Sequence, residues 1–202
     1  MKVLLEVGEW EIGHWWLDAP PGNLMDPEFF ESLEGALAEV RRREVRGLVI
    51  RGKGRHFSAG ADRAAMQPLW RDREAISRHQ ALFTAISDLS IPVIAWVEGA
   101  CLGSGLELAL CAHLILAAPG AVLGFPESSF GVMPGCGGTW RATRRIGISQ
   151  ALDLVLSGRL VDAEEAARLG LIHGVVERAQ GPGMAEMAAR RLRIRPSVEE
   201  AR

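Results

Sequence analysis

The chain has 202 residues, of which 48% are hydrophobic, and a formal net charge of −2. This length and composition favour one globular domain with a substantial core, and they exclude a tail, a fibre or a repeat array. Basic and acidic residues nearly balance over the whole chain, which argues against nucleic-acid binding.

The apolar stretches and the cysteines indicate where in the cell the protein is expected. Gly, Glu or His interrupts every apolar stretch well before the roughly 20 residues that a membrane span requires, so we expect no membrane association. The cysteine count of three is odd, and no signal-peptide pattern opens the chain. We therefore expect a cytoplasmic protein. The histidines are scattered singly, without metal-ligand spacing, and no metal site is predicted.

The first half of the chain alternates between predicted strands and helices. A Gly8-Glu9 turn is expected to join the first two strands as a hairpin. Asp26 before Pro27 favours a helix start, and apolar residues recur at helical spacing from there. The predicted elements are strands at residues 3–7, 10–17, 45–51 and 92–97 and helices at residues 27–43 and 72–88.

The second half continues the same alternation with shorter elements. Strands are predicted at residues 114–117 and 122–124, and short helices at residues 139–145, 149–156 and 163–169. The order of strands and helices predicts an α/β domain. Residues 181–183 (Gly-Pro-Gly) are interpreted as a linker before a basic helix from about residue 184 to 193, which divides the chain into a core at residues 1–180 and a short segment at residues 181–202.

The turn after the strand at residues 45–51 contains only small residues between Phe57 and Asp62. Small side chains leave backbone N–H groups uncovered, and a helix starting near Asp62 would direct its positive end toward the same place. A ligand-binding turn and a tight turn in which Asp62 merely caps the helix both remain open from this segment alone.

A second glycine-rich turn, residues 99–105, also joins a strand to a helix. Two N–H groups that point at one oxygen form an oxyanion hole. Glu107 lies one turn into the helix among apolar neighbours, where an unpaired carboxylate is costly, so a functional role is favoured over a solvated one. Glu127 opens another stretch of small residues. The two glutamates indicate acid/base chemistry beside an anion-stabilising turn.

Four stretches, together with Gly103 and Glu107, resemble the crotonase, or enoyl-CoA hydratase/isomerase, superfamily: residues 57–62, 91–99, 125–127 and 131–139. The resemblance covers about residues 10–176. It implies an α/β fold, a crotonase-like spiral of repeated ββα units, with most of the usual C-terminal helical region missing.

The resemblance also implies roles for individual residues. It places oxyanion-hole N–H groups at Ala61 and Ser104 and the catalytic carboxylates at Glu107 and Glu127. Ser104 stands where glycine is usual, so its hydroxyl either donates a further hydrogen bond or faces solvent. The expected substrate-binding residues are Ala59, Gly60, Asp62, Met66, Leu69, Trp70, Gly103, Pro134 and Gly135. Core packing is the alternative for Met66, Leu69 and Trp70.

Retention of both glutamates implies a hydratase or dehydratase, a lyase that adds or removes water across the Cα–Cβ bond of an enoyl thioester. The alternatives are an isomerase or decarboxylase of the same superfamily and a non-catalytic scaffold. The implied substrate is an acyl-CoA or an acyl-carrier protein, whose CoA or phosphopantetheine thioester makes a separate cofactor unnecessary. Family resemblance also implies a homo-oligomer, either a trimer or a hexamer.

Two other enzyme classes fit the sequence poorly. Gly103-Ser104-Gly105 follows a strand and opens a helix, as in dinucleotide-binding folds, but Leu108 occupies the place of the third glycine. A serine hydrolase built on Ser104 would require a nucleophile elbow, which the surrounding residues lack.

Overall fold

A computed structural model describes residues 1–69 and 71–192. The strands are β1 Val3–Val7, β2 Ile12–Leu17, β3 Gly47–Gly52, β4 Val93–Val97, β5 Ala100–Leu102, β6 Leu114–Ala117, β7 Val122–Gly124, β8 Leu160–Asp162 and β9 Gly174–Val175. The helices are α1 Pro27–Arg42, α2 Arg63–Met66, α3 Arg73–Ser87, α4 Ser104–Ala109, α5 Gly138–Ile146, α6 Ile148–Ser157, α7 Ala163–Leu169 and α8 Gly181–Arg191.

The strands form two sheets that the chain visits in turn. The larger sheet has six strands in the order β1-β2-β3-β4-β6-β9, and the smaller has three in the order β5-β7-β8. After β4 in the larger sheet the chain adds β5 to the smaller one and enters α4; β6 and β7 repeat this path. The pairs from β2 to β9 in the larger sheet are all parallel. This winding is the predicted crotonase-like spiral, and the α/β fold class is confirmed.

Helix α1 shows why the predicted helices form. The side chain of Asp26 accepts a hydrogen bond of 2.9 Å from the N–H of Phe29, which satisfies one of the free donors at the helix start. Phe29, Leu33, Leu37 and Val40 then bury one face of the helix. None of the helices in the described ranges combines the length and the apolarity that crossing a bilayer requires.

Strands β1 and β2 pair antiparallel and form the predicted hairpin, but the predicted two-residue turn at Gly8-Glu9 is wrong. Residues Glu9–Glu11 form a 3-10 turn instead, with positive φ at Trp10 (62°) and Glu11 (60°). The N–H of Gly8 donates to the carbonyl of Ile12 at 2.9 Å and closes this longer loop, so β2 begins at Ile12 rather than at Trp10.

The predicted linker at residues 181–183 is also wrong, because these residues form the first turn of α8. A Cβ at Gly181 would overlap the ring of Trp96 on β4, so glycine lets the helix lie directly on the sheet. Ala185 and Ala189 are buried against the same sheet. Residues 181–192 are therefore part of the same packed unit, and residues 193–202 lie outside the described ranges.

Candidate active site

The two small-residue turns predicted from the sequence meet in the structure. The N–H of Ser58 donates to the carbonyl of Ala100 at 3.0 Å, and the N–H of Leu102 donates to the carbonyl of Ser58 at 3.0 Å. Gly60 has a φ of 99°, and a Cβ there would lie 2.7 Å from the Leu102 oxygen and 3.7 Å from the nitrogen of Ser104. Only glycine allows the turns to approach this closely.

Each of these turns presents a backbone N–H group with no partner. Hydrogen bonds from Met25 to Gly60 and from Asp62 to Met25, both 2.9 Å, hold the backbone on either side of Ala61. Ser104 is the first residue of α4, where an N–H has no acceptor within its own helix. Among the described residues, neither the Ala61 nor the Ser104 N–H donates a hydrogen bond. Both residues line one cavity of about 610 Å³.

Glu107 is completely buried and rigidly held. Its Oε1 accepts two hydrogen bonds of 2.7 Å, from the N–H groups of Cys136 and Gly138, while its Oε2 has no partner among the described residues. Burial raises the pKa of Glu107, and the two N–H groups and the Arg141 guanidinium partly oppose that shift. Because of these donors, the ionised form of Glu107 is more stable than the ionised form of an equally buried carboxyl group that lacks them.

Glu127 lies in the 3-10 turn Pro126–Phe130 and lines the cavity. Its Oε2 is buried and also has no partner among the described residues. Burial raises the pKa of Glu127 to about 7, and the negative charge of Glu107 contributes to the rise. Gly103, with a φ of 50°, makes room for this side chain, because a Cβ at residue 103 would lie 2.9 Å from Glu127 Oε1.

The two carboxyl groups therefore act as a coupled pair. Burial raises both pKa values, and ionisation of Glu107 makes ionisation of Glu127 harder. Near neutral pH the pair retains a proton in a substantial fraction of molecules. Such a pair can accept a proton at one carboxylate and donate one from the other.

Several groups that shape the site were not predicted. The backbone N–H groups of Cys136 and Gly138 fix Glu107, although the sequence indicated only that this stretch is rich in small residues. Arg141 is buried, and its Nη1 donates to the carbonyl of Cys136 at 2.7 Å. A single arginine on an amphipathic helix carries no signal that distinguishes it from a solvated one.

The structure brings most of the predicted residues to the cavity wall. The predicted residues that line it are Ala59, Gly60, Ala61, Met66, Leu69, Gly103, Ser104, Glu127 and Gly135. Further lining residues, which the sequence did not single out, are Phe30, Arg63, Ile76, His79, Leu102, Pro126, Phe130, Val132, Met133 and Cys136. Most of these are apolar, which suits a hydrocarbon chain.

Three of the predicted residues that the structure describes stand apart from this wall. The side chain of Asp62 accepts from the N–H of Ala65 at 3.1 Å, so Asp62 caps α2 and does not line the cavity. Pro134 is buried and is likewise absent from the wall. Glu107 is fully buried and is not a lining residue, although Cys136, whose N–H donates to Glu107, is one. Trp70 lies outside the described residues. Within the described ranges, no group of three or more His, Cys, Asp and Glu side chains could hold a metal ion.

The raised pKa of Glu127 predicts a pH-dependent effect on stability. The protonated carboxyl is favoured in the folded state, so stability falls as pH rises from 4.5 through about 7. Replacing Glu127 with Gln removes this loss, which amounts to up to about 3 kcal/mol. We expect Glu127→Gln to raise the melting temperature clearly at about pH 8 and much less at about pH 5. Equal shifts at both pH values, or none, would contradict the raised pKa; Glu31→Gln, an exposed change on α1, is the control.

The packing of Gly138 predicts a steric effect on Glu107. A Cβ at residue 138 would lie 2.7 Å from Glu107 Cγ and 2.8 Å from Phe125 Cε1, both in the core. We expect Gly138→Ala to lower the free energy of unfolding by about 1–3 kcal/mol and to displace Glu107, as measured by denaturant unfolding and a crystal structure. Gly135→Ala is the matched control, because a Cβ there meets nothing within 4 Å. If the two variants were equally stable, neighbouring atoms would have moved to relieve the contact of the new Cβ, which would contradict this prediction.

Comparison with known proteins agrees with the fold. A sequence model described as enoyl-CoA hydratase/isomerase matches residues 11–198. A probable enoyl-CoA hydratase of Bacillus subtilis (strain 168) is 39% identical over 157 residues, which are 76% of this chain and 61% of that protein. The chain thus spans less than two thirds of the length of this curated relative.

Solved structures of similar proteins share the fold over almost the whole chain. An enoyl-CoA hydratase from Bacillus anthracis superimposes with a TM-score of 0.86 at 29% identity, over 93% of this chain and 75% of that chain. An enoyl-CoA hydratase from Thermoplasma volcanium GSS1 gives a TM-score of 0.86 at 30% identity, over 95% of this chain and 79% of that chain. The chain belongs to the enoyl-CoA hydratase/isomerase family, within the crotonase superfamily.

Proposed function

We propose that this chain is a lyase that reversibly adds water across the Cα–Cβ double bond of a 2-enoyl thioester. The observation that carries the proposal is the coupled pair of Glu107 and Glu127. Each has a buried oxygen without a partner among the described residues, and Glu127 shares its cavity with Ala61 and Ser104.

The negative charge that develops on the thioester oxygen is the main barrier to this reaction. When water attacks Cβ, the π electrons move toward the carbonyl and form an enolate. In the proposed site the N–H groups of Ala61 and Ser104 donate to that oxygen and stabilise the charge. One such donor typically contributes about 3 kcal/mol to the transition state.

Proton transfer is divided between the glutamates. Glu107 is held as a hydrogen-bond acceptor by two N–H groups, so we assign it the role of the base that takes a proton from the attacking water. Glu127, with a pKa of about 7, carries the proton that is delivered to Cα. The water oxygen becomes the hydroxyl on Cβ, and the enolate electrons return to form the Cα–H bond. Dehydration follows the same steps in reverse.

The family names support an acyl-CoA substrate, and an acyl-carrier protein would present the same thioester. The proposed reaction needs no separate cofactor, because the carboxyl groups move the protons and backbone N–H groups stabilise the charge. A homo-oligomer, trimer or hexamer, and a cytoplasmic location complete the proposal.

A panel of enoyl and 3-hydroxyacyl thioesters, each on CoA and on a carrier protein, tests this function by product mass. We expect a gain or loss of one water. An isobaric shift of the double bond would instead identify an isomerase, and loss of carbon dioxide a decarboxylase. A protein inert toward the whole panel would support a scaffold. Purified wild-type protein at several concentrations also reveals whether activity depends on self-association.

A further inference from the structure

A histidine interrupts the apolar wall of the cavity. His79, on α3, lines the cavity together with Phe30, Met66, Leu69 and Ile76. These four neighbours offer only hydrocarbon and sulfur surface. The imidazole therefore places hydrogen-bonding nitrogen among apolar side chains on this part of the cavity wall.

The ring of His79 is held by stacking. It lies parallel to the ring of Phe30, with centroids 3.8 Å apart and an interplanar angle of 20°. Phe30 is itself buried in the core and packs edge-on against Phe29, with the two ring centroids 6.4 Å apart. The side chain of His79 is half-buried, and its ring nitrogens make no hydrogen bond to another described residue. Its polar edge is thus fixed in direction and available to a ligand.

His79 also marks the point where the cavity meets a second one. A groove of about 610 Å³ between α1 and α3 shares Phe30, Leu69 and His79 with the first cavity. The groove is lined by alanine and leucine side chains as well as by charged residues, including Glu34 and Arg78, which form an ion pair of 3.8 Å across it. His79 therefore lies where the apolar cavity meets a groove of mixed apolar and charged lining.

We propose that the substrate carries a hydroxyl or carbonyl group on its acyl chain, beyond the reacting double bond, and that His79 binds this group. The inference rests on the proposed function, because it takes the cavity to be the acyl pocket. A plain alkyl chain would cover the imidazole without offering it a hydrogen bond, which leaves a desolvated polar group unpaired. An oxygenated chain avoids that loss.

The protonation state of His79 agrees with a neutral polar partner. Burial lowers the pKa of His79, and the positive charge of the neighbouring Arg78 lowers it further. A neutral imidazole offers one donor and one acceptor. A hydroxyl group can pair with either nitrogen, and a carbonyl with the N–H.

Chain-matched pairs of 2-enoyl-CoA thioesters, one alkyl and one with a distal hydroxyl, test this proposal. The rate constant kcat/KM is measured for hydration of each, and calorimetry gives the Kd of the saturated analogues, which cannot react. We expect wild-type protein to favour the best hydroxylated chain by about tenfold in both measurements, the effect of one partly buried hydrogen bond. His79→Phe should abolish that preference, and His79→Gln should retain part of it. His14→Phe, a change at another half-buried histidine remote from the cavity, should preserve it.

The two measurements separate this inference from the proposed function. Turnover of both chain types with no hydroxyl preference, or a preference that His79→Phe leaves unchanged within about twofold, would overturn the role of His79 while the hydratase stands. Preferential binding of hydroxylated thioesters without any turnover would contradict the hydratase and support the role of His79. Melting temperatures of the variants show whether a lost preference comes from unfolding.

Discussion

Glu127→Gln is expected to lower kcat for hydration of a 2-enoyl-CoA by about 10³-fold, with little change in KM. The amide has the shape of the carboxyl group but cannot deliver a proton to Cα. Glu127 is the carboxyl that lines the cavity, and its pKa of about 7 matches a proton donor at neutral pH. Initial rates with saturating substrate give kcat directly.

The stability of the same variant makes this result easier to interpret. Glu127→Gln is expected to be at least as stable as wild type above neutral pH, because it removes a buried carboxylate that burial disfavours. Lost activity in a more stable protein cannot come from unfolding. The exposed change Glu31→Gln should leave kcat unaltered. A Glu127→Gln protein with more than about a tenth of wild-type kcat would exclude proton transfer by Glu127.

Ser104→Pro is expected to lower kcat/KM by about 10²–10³-fold, because it removes the backbone N–H from the proposed oxyanion hole. Ser104 is the first residue of α4, a position at which proline fits the helical backbone. The helix should therefore form as before. The melting temperature shows whether the variant is folded. A lower kcat/KM at an unchanged melting temperature would come from the lost N–H donor and not from unfolding.

Ser104→Ala is the matched control for this substitution. It keeps the N–H and removes only the hydroxyl, so we expect activity within a few-fold of wild type. Equal losses in the two variants would assign the effect to the hydroxyl instead. Full activity of a folded Ser104→Pro protein would show that this N–H does not contribute to stabilising the enolate.

The longer elements of the fold were predictable from sequence because local signals agree with packing. Asp26 caps α1, and the apolar spacing of that helix gives its buried face. The continuous apolar run at Val93–Val97 is buried at every position, as a central parallel strand requires. The short strands Ala100–Leu102, Leu160–Asp162 and Gly174–Val175 went unpredicted, because two or three residues rarely show a period. Strand Val122–Gly124, of the same length, is the exception that was predicted.

The spiral itself was not visible as a sequence repeat. The segments that carry β4 and β5, then β6 and β7, follow the same path, but the helices and loops between them differ in length. A fixed period is therefore absent although the architecture repeats. The crotonase-like arrangement could be predicted only through resemblance to the family.

The candidate site was predictable where local sequence is unusual and not elsewhere. Glu107 stands out as a carboxyl among apolar residues, and Gly60 and Gly103 stand out as turn residues. The contacts that hold Glu107 come from residues 136–138, far along the chain, and depend on tertiary packing. His79 lies in an ordinary amphipathic helix, so only the cavity and the Phe30 stack distinguish it.

Hydration of a short 2-enoyl-CoA in D₂O, followed by NMR of the product, tests the division of proton transfer between Glu107 and Glu127 most directly. If both carboxyl groups act from one side of the substrate, the product carries a hydroxyl on Cβ and one deuteron on Cα, added to the same face of the former double bond. Addition to opposite faces would contradict this arrangement, and so would a product with a shifted double bond and no added water.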